Sequence, residues 1–526
     1  MSPLAFEVQL DYAALAPLII MFAAAAFGVL IEGVIKKGLR DEAQMIVTAL
    51  GLLGALAMTI QNWRTKEHGV HALGSVTTDG PTHFIWALLI IATILAMFLI
   101  SERKLNQGAT NFTPMASSVP GSQLEAKAFE VRHEHTEVYP LVMFATFGMM
   151  LFASANDFIT MFVALEIFSL PLYLLSGMAR RRRLLSQEAA LKYFMLGSLT
   201  SAIFLYGAAL LYGFSGSLRL SDLSIAVQAN TQSNPTLLYG GMVLTLVALL
   251  FKIGAVPFHA WTPDVYTGAP TQITAYMAIA TKAAAVIAMM RLLYVGLGGI
   301  QWDWQPLVAL LSVLTMLVGS VIALSQSDIK RMLAYSSIAH AGFLMVAIAG
   351  GVTADNGNNA LAGSVSSVLF YMVAYGLATL GAFAIVMMVR KAGGEANHMA
   401  AWAGLGRKNP LVATLMALFM LSFAGIPLTA GFIGKLQVFL AAWAGGYAWL
   451  VLVAVVMSLV AAYFYLRFVV IMFFIEPGEP AEGVTVDQPS WMTWTVIIVC
   501  ALGTLALGVW SGPLADLAIR ASEFLR

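Results

Sequence analysis

Long apolar runs, each about as long as a bilayer is thick, recur along the whole chain and are separated by short polar stretches. A membrane-spanning helix needs about 20 consecutive apolar residues. The pattern therefore predicts an all-α integral membrane protein with about fourteen transmembrane helices. The fourteen apolar runs are centred near residues 24, 53, 92, 146, 167, 200, 246, 283, 315, 340, 376, 422, 460 and 501.

The polar interruptions divide these runs into unequal groups. The longest interruption covers residues 101–137, and we expect it to be a loop and not a separate domain. We expect a three-span N-terminal region over 1–137 that includes this loop. Two five-span units over 138–300 and 301–476 follow, and a final span lies within 477–526.

Spans seven and twelve each contain a glycine followed closely by a proline. The first reads FKIGAVPF and contains Gly254 and Pro257; the second reads FAGIPL and contains Gly425 and Pro427. Proline removes a helix hydrogen bond, and irregular backbone at membrane depth is tolerated only where protein or water covers it. Two matched breaks, five spans apart, predict two inverted five-helix repeats with a transport site between them. Two ordinary proline kinks remain an alternative.

Composition agrees with this pattern and narrows the chemistry. Hydrophobic residues make up 60% of the chain, charged residues 10%, and the net charge is +1. Nothing here favours a nucleic-acid partner. The single cysteine, Cys500, cannot form a disulfide within the chain or hold an iron–sulfur cluster, which takes four ligands. The run Arg132-His133-Glu134-His135 indicates a solvated loop more than a metal site.

Lysine and arginine residues are distributed unevenly between alternate loops. If the N-terminus lies outside, the inner loops hold most of them, including Arg180 to Arg183 and Lys330. The outer loops then hold few, and Arg291 is one of these. Because cytoplasmic loops carry the excess of positive charge, this distribution predicts that both termini lie on the outer side of the membrane.

Five ionisable side chains lie inside the predicted spans: Glu166, Lys192, Lys252, Lys282 and Lys435. Each charge at the bilayer centre costs about 2.5–3.5 kcal/mol on insertion scales, which points to a function. A buried lysine can accept and release a proton, whereas arginine stays protonated. We therefore expect proton transfer. A static Glu166–Lys192 ion pair, and snorkelling of Lys192 and Lys435 to the membrane surface, remain open.

Several uncharged or weakly basic side chains lie near these five. His259 follows Pro257 by two residues and is a candidate proton relay, although a structural histidine fits equally well. Ser169, Tyr173 and Thr281 either line a chain of water molecules or bond to backbone carbonyls, and the sequence does not distinguish the two.

Five strings carry a family resemblance. Together they resemble the antiporter-like membrane subunits of respiratory NADH:quinone oxidoreductase, also called complex I, over about residues 138–475. The resemblance is closest to the subunit N group, because subunit M carries glutamate where Lys435 stands and subunit L continues into a long lateral helix. The strings are MFVALEIFSLPLYLL (161–175), LKYFMLGS (191–198), FKIGAVPFHAWTPDVYTGAP (251–270), DIKRMLAYSSIAHAGF (328–343) and GIPLTAGFIGKL (425–436).

This resemblance implies a role for each matching residue. Glu166 and Lys192 correspond to a pair that modulates a proton channel. Lys252 corresponds to the lysine at the helix-seven break, Lys282 to the central lysine of helix eight, and Lys435 to the lysine of the exit half-channel.

The resemblance also implies partners. NADH, FMN, iron–sulfur clusters and quinone would belong to other subunits, with no cofactor or metal in this chain, and neighbouring membrane-arm subunits of the M and K types would flank it. Two further readings stay open: a subunit of a multi-subunit cation/proton antiporter, and a structural spacer that moves no ions.

Overall fold

The fold is almost entirely helical. The computed structural model describes residues 11–106, 108–113, 122–124, 127, 135–230, 234–351, 357–392 and 394–525, so residues 132–134 of the predicted solvated loop lie outside the described part. The α-helices are α1 Tyr12–Val34, α2 Arg40–Thr65, α3 Gly80–Ile100, α4 Val138–Ser154, α5 Phe158–Ser176, α6 Arg183–Ser215, α7 Leu220–Asn230, α8 Pro235–Ile253, α9 Trp261–Gly268, α10 Thr271–Arg291, α11 Gln301–Leu324, α12 Ile329–Ala349, α13 Gly357–Met388, α14 Leu405–Lys408, α15 Pro410–Ala424, α16 Ala430–Ala444, α17 Ala448–Phe473, α18 Trp491–Val509 and α19 Gly512–Arg520.

Among the described residues, 12 helical segments are long and apolar enough to cross a membrane. Three shorter apolar helices, α4, α15 and α16, accompany them. The prediction of an all-α, multi-pass membrane protein is therefore confirmed.

Short strands connect some helix ends outside the spans. β1 (Gly69–His71) pairs antiparallel with β2 (Val76–Thr78), and Val70 lies opposite Thr77. In a second small sheet, β3 (Val389–Lys391) lies between β4 (Gly394–Glu395) and β5 (Val484–Val486), both antiparallel to it. The second sheet ties the loop after α13 to the segment before α18.

Aspartates begin several of the long helices. The carboxylates of Asp79, Asp157 and Asp328 accept hydrogen bonds from backbone N–H groups in the first turns of α3, α5 and α12, at 3.0, 2.7 and 3.0 Å. The first N–H groups of a helix have no partner inside it, so a side-chain acceptor stabilises each start. These caps explain why the apolar runs begin as helices at these positions.

Helices α10 and α12 form the centre of the molecule. Every residue of α10 is buried, and so is nearly every residue of α12. The outer helices instead expose large apolar side chains, such as Leu191, Met195 and Leu199 on α6. The outer helices therefore present apolar side chains to the lipid, and the polar side chains of α10 and α12 lie inside the protein.

One basic residue lies where the loop prediction was wrong. Arg291 was expected in an outer loop, but it ends α10 with no exposed surface and binds Asp79 at 2.9 and 3.0 Å. It also donates to the Thr82 hydroxyl at 2.8 Å. A guanidinium that is fully paired with a carboxylate tolerates burial, so Arg291 can lie at the buried end of a span.

Candidate functional site

The first helix break separates α8 from α9. α8 ends at Ile253, and Gly254 follows with φ = 80°, a backbone conformation that side-chain-bearing residues rarely adopt. The carbonyl of Phe251, near the end of α8, accepts a hydrogen bond from the indole N–H of Trp261 at 2.8 Å. The N–H of Val256 in the linker donates to the Thr315 hydroxyl at 3.0 Å. Protein side chains therefore satisfy the irregular backbone here.

The second break separates α15 from α16. α15 ends at Ala424, and Gly425 again has φ = 80°. The ammonium group of Lys435, on α16, donates to the carbonyls of Phe423 and Ala424 at 2.9 and 3.1 Å. It also donates to the Ser458 hydroxyl at 2.8 Å. Here a lysine satisfies the backbone that the break leaves open.

Lys252 lies in the last turn of α8 and is 2% exposed. Its Nζ donates to the Ser169 hydroxyl at 2.7 Å. The rings of Phe168, Tyr173 and Tyr193 surround it, with centroids 5.1, 5.4 and 5.3 Å from Nζ. The amine therefore has one hydrogen-bond partner and several aromatic faces, which stabilise a cation weakly.

Glu166 and Lys192 do not form the ion pair that the resemblance implies. Lys192 instead binds Glu188, one turn earlier on α6, at 2.6 Å and Asp264 on α9 at 2.7 Å, and its side chain is 42% exposed. Asp264 in turn binds Arg331 at 2.8 Å. The alternative of a static Glu166–Lys192 ion pair is not observed, because Glu188 and Asp264 are the carboxylates that contact Lys192.

Glu166 faces Lys252 instead. The two groups interact electrostatically, and one carboxylate oxygen of Glu166 is buried with no hydrogen-bond partner among the described residues. The structure thus separates the two members of the predicted pair: Glu166 is the nearby acid for Lys252, and Lys192 belongs to a network with Asp264.

Lys282 lies in the middle of α10 and is 2% exposed. Its Nζ contacts the hydroxyl of Ser337 on α12 at 2.7 Å, as well as the Ser337 carbonyl. The hydroxyl of Tyr375, on α13, donates to the same Ser337 hydroxyl at 2.8 Å. Lys282 thus bonds to a short chain of hydroxyl groups.

His340 is a buried ionisable residue that the sequence reasoning did not single out. It lies on α12 between Lys282 and Lys435 and interacts electrostatically with both. Its two ring nitrogens contact the hydroxyls of Tyr371 and Tyr465 at 2.6 and 3.2 Å. The available signal was a histidine inside an apolar run, in the string that reads AYSSIAHAGF.

The remaining candidates have plainer surroundings. The Thr281 hydroxyl bonds to the Met277 carbonyl of its own helix at 2.7 Å. Tyr173 contributes its ring to the surroundings of Lys252. His259 is half-buried in the linker between α8 and α9. Of these three, only Tyr173 contacts a buried lysine.

Lys252, Lys282, His340 and Lys435 together form what we call the buried axis. All four are between 2 and 4% exposed. In the described part of the chain, no ion pair joins the three lysines to a carboxylate, and their partners are hydroxyls and backbone carbonyls. Hydroxyls both donate and accept hydrogen bonds, so each of these lysines lies beside a group that is able to exchange a proton with it.

Comparisons with known proteins identify the family of this chain. A family model described as "NADH:quinone oxidoreductase/Mrp antiporter, TM" matches residues 155–461. The chain is 53% identical to NADH-quinone oxidoreductase subunit N of Cutibacterium acnes, covering 98% of this chain and 96% of that one. It is 49% identical to the subunit N of a Nocardioides species, covering 98 and 99%.

Solved structures show the same fold. A chain of respiratory complex I from Thermus thermophilus with bound aureothin superimposes with a TM-score of 0.75 at 33% identity, covering 96% of this chain and 99% of that one. A chain of the Mrp complex from a Dietzia species has a TM-score of 0.79 at 20% identity, covering 98 and 97%, and shows likeness of fold alone. The family model and the full-length relatives establish that this chain belongs to the subunit N branch of the NADH:quinone oxidoreductase/Mrp antiporter membrane family.

Proposed function

We propose that this chain translocates protons as a non-redox, membrane-arm subunit of NADH:quinone oxidoreductase. Its membership of the subunit N branch supports the assignment to that complex. The observation that carries the mechanism is the buried axis, in which three lysines and a histidine lie inside the protein and, among the described residues, no carboxylate forms an ion pair with them.

Lysine is suited to this task because of its chemistry. An ammonium group is expensive to hold in dry protein without a carboxylate, so a small electrostatic change is enough to favour the neutral amine. Arginine stays protonated under all biological conditions and cannot act in this way. Each lysine of the axis is therefore a site where a proton is held or released according to nearby charge.

We propose that protons reach Lys252 and Lys282 from the inner side and leave past Lys435 to the outer side. The Ser337 hydroxyl and His340 lie between Lys282 and Lys435 and serve as intermediate carriers. His340 is suited to this role because its two ring nitrogens contact the hydroxyls of Tyr371 and Tyr465, so the ring can take a proton on one side and give one up on the other. His259 lies next to Lys252's helix break and remains a candidate relay on the entry side.

In our proposal, the carboxylates of Glu166 and Asp264 control proton transfer at Lys252. Glu166 interacts with Lys252 and favours its protonated form. Asp264, near the start of α9, forms an ion pair with Lys192. We propose that this pair affects proton transfer without contacting Lys252. A change of the Lys192–Asp264 contact then alters the charge near Lys252 and releases its proton.

The helix arrangement supports the predicted repeat. Counting α8 with α9 and α15 with α16 as single broken spans, and counting α4, gives fourteen spans; both breaks have a glycine at φ = 80°. We propose that 138–300 and 301–476 are inverted repeats and that both termini lie outside. The pairing of two interrupted spans is typical of transporters built from such repeats.

The redox chemistry belongs to other subunits in this proposal. NADH, FMN, iron–sulfur clusters and quinone bind to partners, and neighbouring subunits of the M and K types contact this chain in the bacterial membrane. Quinone reduction reaches the axis as a conformational or electrostatic change. In the described residues, no group of His, Cys, Asp and Glu has the spacing of a metal site.

The replacement Lys252→Ala tests the proposal in the intact complex. The complex should assemble, as checked by native gel electrophoresis, while the initial rate of NADH-driven proton uptake into proteoliposomes falls sharply. Lys408→Ala removes an exposed loop lysine and is the matched control. Proton uptake at the control's rate in Lys252→Ala would disprove the role of this lysine.

Two experiments separate the alternatives. Co-purification with flavin- and iron–sulfur-bearing subunits supports the oxidoreductase, and co-purification with antiporter subunits alone supports a cation/proton antiporter. Hydrogen–deuterium exchange near Lys282 during turnover distinguishes a proton carrier from a structural spacer, because a spacer keeps this region dry.

A further inference from the structure

A cavity of about 410 Å³ opens between the loops at one end of the helices, away from the buried axis. It lies where the loop after α5, the turn from α9 to α10, the start of α12 and strands β3 and β4 meet. Among its described lining residues are six cations, Arg180, Arg181, Arg182, Lys330, Arg390 and Lys391, and one carboxylate, Glu395. We call it the basic cavity.

Two of these cations are almost fully buried. Lys330 is 3% exposed, and its ammonium group donates to the carbonyl of Ala269 at 2.8 Å. Arg390 is also 3% exposed; it donates to the Asn106 side-chain oxygen at 2.7 Å and lies 3.6 Å from Asp487. Buried cations are costly unless negative charge is nearby. The cavity therefore concentrates positive charge beyond what its own carboxylate balances.

Glu395, the carboxylate among the described lining residues, interacts with both buried cations, Lys330 and Arg390. Glu395 accepts a hydrogen bond from the Thr271 hydroxyl, in the first turn of α10, at 2.6 Å. The first turn of a long helix also presents backbone N–H groups and the positive end of the helix dipole. The start of α10 thus adds to the positive potential that the cations create.

Gln272 gives the second, independent sign of a ligand. Gln272 is one of the residues that line the cavity. Its side chain is buried, and neither its amide nitrogen nor its amide oxygen has a hydrogen-bond partner among the described residues. Buried amide groups nearly always have hydrogen-bond partners, and an unpaired one is destabilising. A ligand that both accepts and donates hydrogen bonds satisfies the amide nitrogen and the amide oxygen of Gln272.

We propose that the basic cavity binds a phosphate-bearing anion that also carries a hydroxyl group. The phosphate oxygens accept from the lining cations, with Lys330 among them. The buried Gln272 amide turns towards the bound anion, donates to a phosphate oxygen and accepts from the hydroxyl. The glycerophosphate headgroup of an anionic lipid and free hydrogen phosphate both provide this chemistry. The site depends on neither the proton path nor the redox partners.

The test uses the intact complex that contains this chain, purified in detergent and stripped of lipid. Radiolabelled phosphatidylglycerol in phosphatidylcholine micelles and radiolabelled inorganic phosphate are the two probes. The variants are Lys330→Gln and Gln272→Leu. Lys36→Gln, which removes an exposed lysine outside the cavity, is the control. Native gel electrophoresis checks that each variant assembles, and Gln272→Glu, which keeps the side-chain volume, replaces any variant that does not.

We expect the unaltered complex and the control to bind one more probe molecule than the variants do at the same concentration. Loss of a charge-assisted hydrogen bond should weaken this site at least about tenfold. Binding of phosphatidylglycerol alone identifies a lipid headgroup, and displacement by inorganic phosphate identifies a soluble anion. Equal binding of both probes to the unaltered complex and to Lys330→Gln and Gln272→Leu would overturn the proposal, since the cavity would then hold only water.

Discussion

The two helix breaks present the same backbone problem and satisfy it with different donors. Each follows a helix that ends at a glycine with φ = 80°. At the first, the indole of Trp261 binds the carbonyl of Phe251. At the second, the ammonium group of Lys435 binds the carbonyls of Phe423 and Ala424. The ionisable residue is therefore part of the backbone structure at one break only.

This difference separates the two lysines in function. Because Trp261 satisfies the first break, Lys252 is free to contact the Ser169 hydroxyl and to respond to Glu166. Lys435 is fixed by the break itself and interacts with His340. We infer that the protonation state of Lys252 can change without disturbing the first break, whereas the protonation state of Lys435 affects the backbone structure at the second.

Replacing Lys252 should have the largest effect on transport and little effect on stability. In Lys252→Met, an apolar chain fills the space among the aromatic rings, and we expect proton uptake by proteoliposomes to fall about 100-fold or more, the typical contribution of a positioned proton carrier. Lys252→Arg keeps the positive charge, but the guanidinium does not give up its proton at physiological pH. Proton uptake should therefore fall as far as in Lys252→Met. Normal uptake in Lys252→Arg would mean that charge alone is sufficient at the first break.

Replacing Lys435 should reduce stability as well as transport. Lys435→Met leaves the Phe423 and Ala424 carbonyls without their donor, which costs about 1–3 kcal/mol. In the chain purified on its own in detergent, Cys500 is the only cysteine and has no exposed surface, so its reaction with a fluorogenic maleimide reports unfolding on heating. We expect unfolding at a lower temperature than for Lys252→Met. Equal unfolding temperatures in the two variants would remove the distinction between the breaks.

Removing the donor at the first break should have a smaller effect. Trp261→Phe removes the side-chain donor to the Phe251 carbonyl, which keeps only the N–H of Gly254 at 3.1 Å, a donor that the Leu250 carbonyl shares. We expect a loss of about 0.5–1.5 kcal/mol in the same Cys500 assay. Trp302→Phe is the matched control because Trp302 is 62% exposed. If both variants unfold at the same temperature, the indole hydrogen bond does not stabilise the break.

The smallest effect on stability is expected for Asp264. Asp264→Asn weakens its ion pairs with Lys192 and Arg331, which are partly exposed and so contribute about 0.2–1 kcal/mol each. We expect slower proton uptake with an almost unchanged unfolding temperature. Glu188→Gln, which removes the other partner of Lys192, is the control and should leave uptake nearer normal. Equal uptake in the two variants would assign no special role to the α9 carboxylate.

Local chemistry made much of this fold predictable. Apolar runs of span length predicted the helices, and the glycine–proline pairs correctly marked the places where α8 and α15 end. Depth within an apolar run also predicted that Lys252, Lys282 and Lys435 are buried. These features depend on neighbouring residues alone, so the sequence carries them directly.

Contacts between residues far apart along the chain could not be predicted from neighbouring residues. Asp264 lies 72 residues from Lys192 along the chain, and only the packing of α9 against α6 and α12 brings it to Lys192. Arg291 was misplaced in a loop for the same reason, since its partner Asp79 is 212 residues away. His340 was missed because a single histidine in an apolar run is uninformative until its tyrosine partners are known.

The most direct test of proton transfer along the buried axis is the number of protons translocated per two electrons in proteoliposomes containing the complex with Lys282→Leu. Lys282 lies in the middle of the axis, and Lys408→Leu is the control. We predict fewer protons per two electrons in Lys282→Leu, with NADH oxidation continuing in the partner subunits. A ratio equal to that of Lys408→Leu would contradict the account.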